Sequence, residues 1–227
     1  MPRIRKLLTI GASLLHLAGD LILGWGTEQE SPTGILRMLS AYTGTSDGGM
    51  VAQIYTQKYP NEVGGLVLVS TGGMDAATLK TLKKKYFFVP LALWYMAHCN
   101  YEKLKPRLIQ SGMSHLRNES AEEAAYARDM FETIFKDFQQ AKDMHITGLL
   151  EDLMNQTPVT EADFRALKGR ILLIFPNQDF FSDPMQQDLI KLMQGPQIVY
   201  VSGGHLGTVL KAGDYVRGIK KFLEGME

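Results

Sequence analysis

Tyr42-Thr43-Gly44-Thr45-Ser46-Asp47-Gly48-Gly49-Met50-Val51 sets a serine between two glycines in the pattern G-x-S-x-G. A strand that ends in a turn this tight forces its serine into a strained backbone geometry. Glycines two residues before and two after let a neighbouring strand and helix come close without Cβ clashes. The hydroxyl is thereby raised above the sheet edge, within reach of a base. Five residues of this kind also occur in ordinary loops between a strand and a helix, so the flanks have to discriminate.

Upstream, Leu39-Ser40-Ala41-Tyr42-Thr43 is short and partly β-prone, as suits a buried strand entering the turn. Downstream, Val51, Ile54, Tyr55 and Tyr59 recur near helical period, and Pro60 stops the run. Val63 to Thr71 is then almost continuously apolar, the mark of a parallel strand covered on both faces. The serine therefore sits in a strand, turn, helix, strand unit.

The run from Tyr42 to Gly73 resembles the nucleophile region of the α/β-hydrolase family, including the helix ending in Lys58-Tyr59-Pro60 and the strand Leu66 to Thr71. The resemblance implies a nucleophile elbow at Ser46, followed along the chain by an acid and then a histidine. Gly169 to Asp179 reads as a buried strand breaking into a polar turn, and Asp179 matches the family's acid. Gln197 to Val201 is another short strand, and His205 follows Gly203-Gly204 in the loop before a terminal helix, matching the base. The interval between Asp179 and His205 accommodates a helix, Pro184–Met193, and a strand, Ile198–Val201, the crossover that keeps two strands parallel. Asp183 is a rival acid, but its place directly before Pro184 reads as a helix N-cap.

The resemblance further implies an oxyanion hole made of backbone N–H groups. One would come from Asp47, the residue after the nucleophile, and the second from Ala12 in the loop after an earlier strand. Here the sequence departs from the family pattern: Leu7-Leu8-Thr9-Ile10-Gly11-Ala12 has the apolar strand and the glycine without the usual histidine. Met1 to Lys6 leaves no room for the two leading strands many members carry. Either the fold is shortened at its amino end or further chain precedes this sequence.

The expected fold class is α/β, a mostly parallel sheet with flanking helices, a helical cap insertion and a shortened amino end. The core is expected over 1–73 and 165–227, with the cap over 74–164. Helical patterns dominate the insertion at Asp75–Lys85, Pro90–His98, Tyr101–Ser111, Ala121–Lys142 and His145–Asn155. Scattered methionines and the aromatics Tyr86, Phe87, Phe88, Trp94 and Tyr95 read as helix packing or as walls of a small apolar pocket.

Composition narrows the partners. Lys+Arg 24 against Asp+Glu 24 gives no net charge, which argues against a polyanion and hence against nucleic acid. No apolar stretch is long enough to span a membrane. The single cysteine, Cys99, excludes an internal disulfide and suits a reducing, cytoplasmic setting. The alternative is a secreted protein, with the basic Pro2 to Lys6 and the apolar run Leu7 to Gly19 acting as a signal, although His16 and Asp20 interrupt that run. His98 with Glu102 and His115 with Glu119 lack a third ligand nearby, so neither a metal nor a cofactor is expected. Lys80, Lys83, Lys84 and Lys85 read as a solvated helix face.

The resemblance thus implies a serine hydrolase, carboxylesterase-like, acting on an ester or similar acyl bond of a small, largely apolar substrate. Two alternatives stand beside it. One is a cofactor-free hydrolase of another acyl or carbon-carbon bond, and the other a catalytically silent ligand-binding protein of the same fold.

Overall fold

A computed structural model describes residues 41–88, 91, 94, 101–116, 119–137, 152–179 and 181–225. They divide into two compact units: those from 41 to Thr81 with those from Gln156 to 225, and those between Leu82 and Asn155.

The first unit is built on a parallel sheet. Its strands are β1 (Ala41–Thr45), β2 (Gly65–Val69), β3 (Ile171–Gln178) and β4 (Gln197–Gly204), hydrogen-bonded in that order with every pair parallel. Helix α1 (Asp47–Lys58) joins β1 to β2, and α2 (Ala76–Lys85) follows β2. The expected parallel α/β sheet with flanking helices is observed.

The near-continuous apolar run at β2 is explained by its position: all five residues are buried, with strands on both edges and packing on both faces. Alternate residues Val67, Val69, Leu172, Ile174 and Val201 form one cluster with Tyr215 and Phe222. Those two aromatics belong to the terminal helix, which therefore covers that face of the sheet. Burying a side chain such as Phe222 stabilises the fold by roughly 1.5–3 kcal/mol. At the amino end of β3, the Arg170 guanidinium donates to the Gly64 carbonyl at 2.8 Å and to the Ala166 carbonyl at 2.6 Å.

In the second unit, α3 (Tyr101–Met113) packs on α4 (Ala121–Asp137). Leu104, Leu108 and Ile109 of α3 and Ala127, Phe131 and Phe135 of α4 are buried. A Cβ on Gly112 would lie 2.8 Å from the Phe131 ring, so the glycine permits close helix contact. Of the expected aromatic pocket walls, Tyr86 is buried, whereas Phe87, Phe88 and Trp94 are exposed. Tyr95, most of the expected helices at 90–98 and 145–155, and residues 138–142 of the expected 121–142 helix lie outside the described residues. No helix among the described residues is long and apolar enough to cross a membrane.

The carboxyl half of the first unit continues through α5 (Asp183–Leu192), β4, a short helix α6 (Gly207–Leu210) and the terminal α7 (Ala212–Glu224). Ser182 occupies the N-cap of α5, with Asp183 next and proline following. The expected N-cap role of Asp183 is thus shifted by one residue. An acidic side chain in the first turn still faces the positive end of the helix dipole.

Candidate active site

Ser46 stands between the last residue of β1 and the first of α1, with φ 54° and ψ −120°. Left-handed φ is uncommon for a residue bearing a Cβ and stores strain of order 1–3 kcal/mol. Several contacts hold it there. The Ser46 N–H donates to the Val69 carbonyl at 3.0 Å, and its own carbonyl accepts from the Gly49 N–H at 3.0 Å and the Thr71 hydroxyl at 2.6 Å.

The glycines divide their work differently from the sequence expectation. A Cβ on Gly44 would lie 2.3 Å from the Gly48 carbonyl oxygen, so this position admits no side chain. Gly48 has open space around its missing Cβ. The close approach after the serine is made instead at Gly49, where a Cβ would meet Thr71 at 2.6 Å. The physical reason is helix geometry: α1 begins directly at Asp47, so successive residues point about 100° apart, and Gly49 rather than Gly48 faces the loop after β2.

Asp179 follows the last residue of β3, and His205 follows the last residue of β4. All three residues therefore emerge at carboxyl ends of parallel strands, where open α/β sheets present their sites. The β3–β4 register shifts between Pro176 and Gln178, and such an irregularity re-aims the end of a strand. Gly203 has φ 102°, a conformation closed to most side chains, two residues before the histidine.

The structure brings the three together. His205 Nδ1 lies 2.6 Å from Asp179 Oδ1, and His205 Nε2 lies 3.0 Å from Ser46 Oγ. The ionised carboxylate only accepts, so Nδ1–H donates to it and the Nε2 lone pair is left to accept from the serine hydroxyl. The surroundings are dry: the Asp179 side chain is 0% exposed, that of His205 9%, and Ser46 is 3% exposed. Phe181 packs beside the imidazole, ring centroids 6.0 Å apart, and also fills the space above Gly72. The rival Asp183 is exposed and lies in the first turn of α5.

Asp47 opens α1, so its backbone N–H belongs to the first turn, where the helix dipole favours negative charge. Ala12, the expected second oxyanion donor, lies outside the described residues. Among the described residues, no group of three or more His, Cys, Asp or Glu side chains could hold a metal ion.

Two buried glutamines escaped the sequence reading. Gln53, 0% exposed, donates to the Gly49 carbonyl at 3.1 Å and the Gly72 carbonyl at 2.9 Å, while its Oε1 accepts from the Met74 N–H at 3.0 Å. It thereby ties the loop after β2 to the helix that begins at the serine. Gln186 donates to the Phe181 carbonyl at 3.2 Å and anchors the turn that follows Asp179. The only trace in the sequence is an amide side chain set among small and apolar helix residues, a pattern that surface positions also show.

No family model matches the sequence, and no curated protein matches it. Solved structures do. An esterase from Thermogutta terrifontis is 19% identical, with a TM-score of 0.55 over 89% of this chain and 77% of that one. An enol-lactonase from Burkholderia xenovorans is 13% identical, with a TM-score of 0.56 over 93% and 73%. A meta-cleavage product hydrolase from Pseudomonas fluorescens is 14% identical, with a TM-score of 0.51 over 94% and 84%. Other similar structures are longer still, the chain spanning only 56% of a bacterial membrane phospholipase A. Together with the parallel sheet order, these likenesses establish that the chain has the α/β-hydrolase fold.

Proposed function

We propose that the chain is a serine hydrolase that cleaves an ester or similar acyl bond of a small, largely apolar substrate through an acyl-enzyme on Ser46. The observation that carries this reading is the continuous hydrogen-bonded line Asp179 Oδ1, His205 Nδ1 and Nε2, Ser46 Oγ, with spacings of 2.6 and 3.0 Å. A serine hydroxyl is a poor nucleophile until a base takes its proton, and the neutral imidazole stands within proton-transfer distance.

In the proposed reaction, Oγ attacks the substrate carbonyl as its proton passes to His205 Nε2. The Asp179 carboxylate keeps the ring in the required tautomer and stabilises the imidazolium. The negative charge that develops on the substrate oxygen is met by the Asp47 N–H at the start of α1, a contribution on the order of 3–4 kcal/mol for one well-placed donor. Ala12 is the proposed second donor. The imidazolium then gives its proton to the leaving group, and water, activated by the same imidazole, releases the acyl group. The residues 74–164 are proposed as a helical cap insertion, and the single Cys99 favours a reducing compartment.

The test is labelling by a fluorophosphonate probe, which reacts with an activated serine. The folded chain should be labelled, Ser46→Ala should not be labelled at all, and His205→Ala should be labelled far more slowly. Labelling of the folded chain no faster than of the denatured chain rejects the proposal.

A further inference from the structure

Between Asp75 and Glu102 the sequence holds no acidic residue, while Lys80, Lys83, Lys84 and Lys85 fall within it. The lysines give way at once to Tyr86-Phe87-Phe88-Val89-Pro90-Leu91-Ala92-Leu93-Trp94-Tyr95-Met96-Ala97, a run without a charge. A run of this length is well short of the roughly 20 residues needed to span a bilayer. Such a run is either a buried element or one that lies in an interface, and exposure decides between the two.

Within this unit, Phe87 is 74% exposed, Phe88 51%, Leu91 53% and Trp94 59%. Phe87 and Phe88 meet edge to face at 5.1 Å, so the two rings form one projecting apolar element. Leu82 and Tyr86 of the same stretch are buried. Lys83 and Lys84 are exposed one turn before the phenylalanines. Large apolar side chains left in water over so short a segment mark an interaction surface. Aromatic and leucine side chains next to lysines, with no acid among them, complement a surface that is apolar beneath and negatively charged above.

We propose that Lys83, Lys84, Phe87, Phe88, Leu91 and Trp94 dock on an anionic lipid surface, the apolar side chains entering the headgroup region and Lys83 and Lys84 facing the lipid phosphates. The solvated-face reading of the lysines covers their exposure but leaves the adjacent exposed aromatics unexplained. The proposal stands apart from the role assigned to Ser46.

The chain has two tryptophans, Trp25 and Trp94, so Trp25→Phe makes Trp94 the sole emitter. That variant is mixed with vesicles of phosphatidylcholine, or of phosphatidylcholine with phosphatidylglycerol, and followed by tryptophan emission and co-sedimentation. Binding to the phosphatidylglycerol vesicles with a blue shift of Trp94, weakened by added salt, is expected. Lys83→Ala with Lys84→Ala should weaken it roughly twenty-fivefold, at about a fivefold loss per lysine, and Phe87→Ser with Phe88→Ser by about tenfold or more. Circular dichroism establishes that the variants remain folded. Failure to bind either vesicle overturns the proposal, as does binding that leaves Trp94 emission unchanged. Self-association that disappears in the phenylalanine variant, with no vesicle binding, would assign the face to a second copy of the chain and also overturn it.

Discussion

The Thr71 hydroxyl donates to the backbone carbonyl of Ser46 at 2.6 Å, joining the loop after β2 to the strained turn after β1. The same side chain lies where a Cβ on Gly49 would fall. One threonine therefore both braces the serine's backbone and fixes how near α1 can come to the loop. Thr71→Val removes the donor with little change of shape and leaves a buried carbonyl with one fewer partner. A loss of about 0.5–1.5 kcal/mol of stability is expected, readable in urea unfolding. Fluorophosphonate labelling of Ser46 should slow, and Thr71→Ser, which restores the hydroxyl, should recover most of the rate.

Gly48→Ala and Gly49→Ala should part in opposite directions. The added methyl at Gly48 meets nothing and replaces a glycine inside a helix, which is worth about 0.5–1 kcal/mol of stability. At Gly49 it would lie 2.6 to 2.7 Å from three Thr71 atoms, one of them the hydroxyl held by Ser46. That threonine cannot swing away without losing its bond, so a cost of about 1–3 kcal/mol is expected. Thermal melting of the two variants decides it; equal melting temperatures would contradict the packing argument.

Gln53→Leu keeps the volume but strands the buried Met74 N–H, and it takes one donor from the Gly49 carbonyl, which lies inside α1, and one from the Gly72 carbonyl, which still accepts from the Thr71 hydroxyl at 3.3 Å. Each buried group left unsatisfied costs about 1–3 kcal/mol. The variant should unfold at markedly lower urea, and hydrogen exchange at the Met74 amide should accelerate more than the global change in stability requires.

On the proposed mechanism, Asp179→Asn leaves the imidazole without its acceptor and in the wrong tautomer, with turnover of an ester substrate falling by about ten-thousandfold. Asp183→Ala should change turnover little, because that carboxylate is exposed in the first turn of α5. Loss of comparable size in both variants would reassign the acid.

Away from the site, Tyr55 receives a hydrogen bond from Tyr42 at 3.2 Å and donates to Glu62 at 2.7 Å. The bond with Tyr42, and next that with Glu62, hold its phenol above the usual range. A raised folded-state value means that the unfolded chain releases this proton first. The contribution is therefore complete below about pH 10, where unfolded tyrosines ionise, and is lost as pH rises toward the folded-state value. Unfolding measured across alkaline pH should show a steeper decline for the unsubstituted chain than for Tyr55→Phe.

The serine at its strand end and the apolar β2 were legible because each rests on local chemistry, whereas Asp179 and His205 were singled out by the resemblance to the α/β-hydrolase family. A strand buried on both faces must be apolar throughout, and a strained turn beside a helix selects glycine. The two glutamine anchors were not legible, since a buried amide and an exposed one are spelled with the same letter and only the tertiary fold chooses its partners. Phe87, Phe88 and Trp94 carried the opposite ambiguity: an apolar run does not say whether it faces a core or water.

By itself the sequence determined that a strand ends at Ser46, that parallel strands precede Asp179 and His205, and that a helix-rich segment lies between. Periodicity and turn chemistry act over a few residues and are written directly in the chain. Only the tertiary structure decided that Gly49 rather than Gly48 makes the close approach, and how near Asp179, already preferred to Asp183 in the sequence, comes to His205. It alone brought Thr71 beneath the serine. Those outcomes depend on the angle at which a helix leaves its strand and on the register between strands, and both are fixed by packing across the whole sheet.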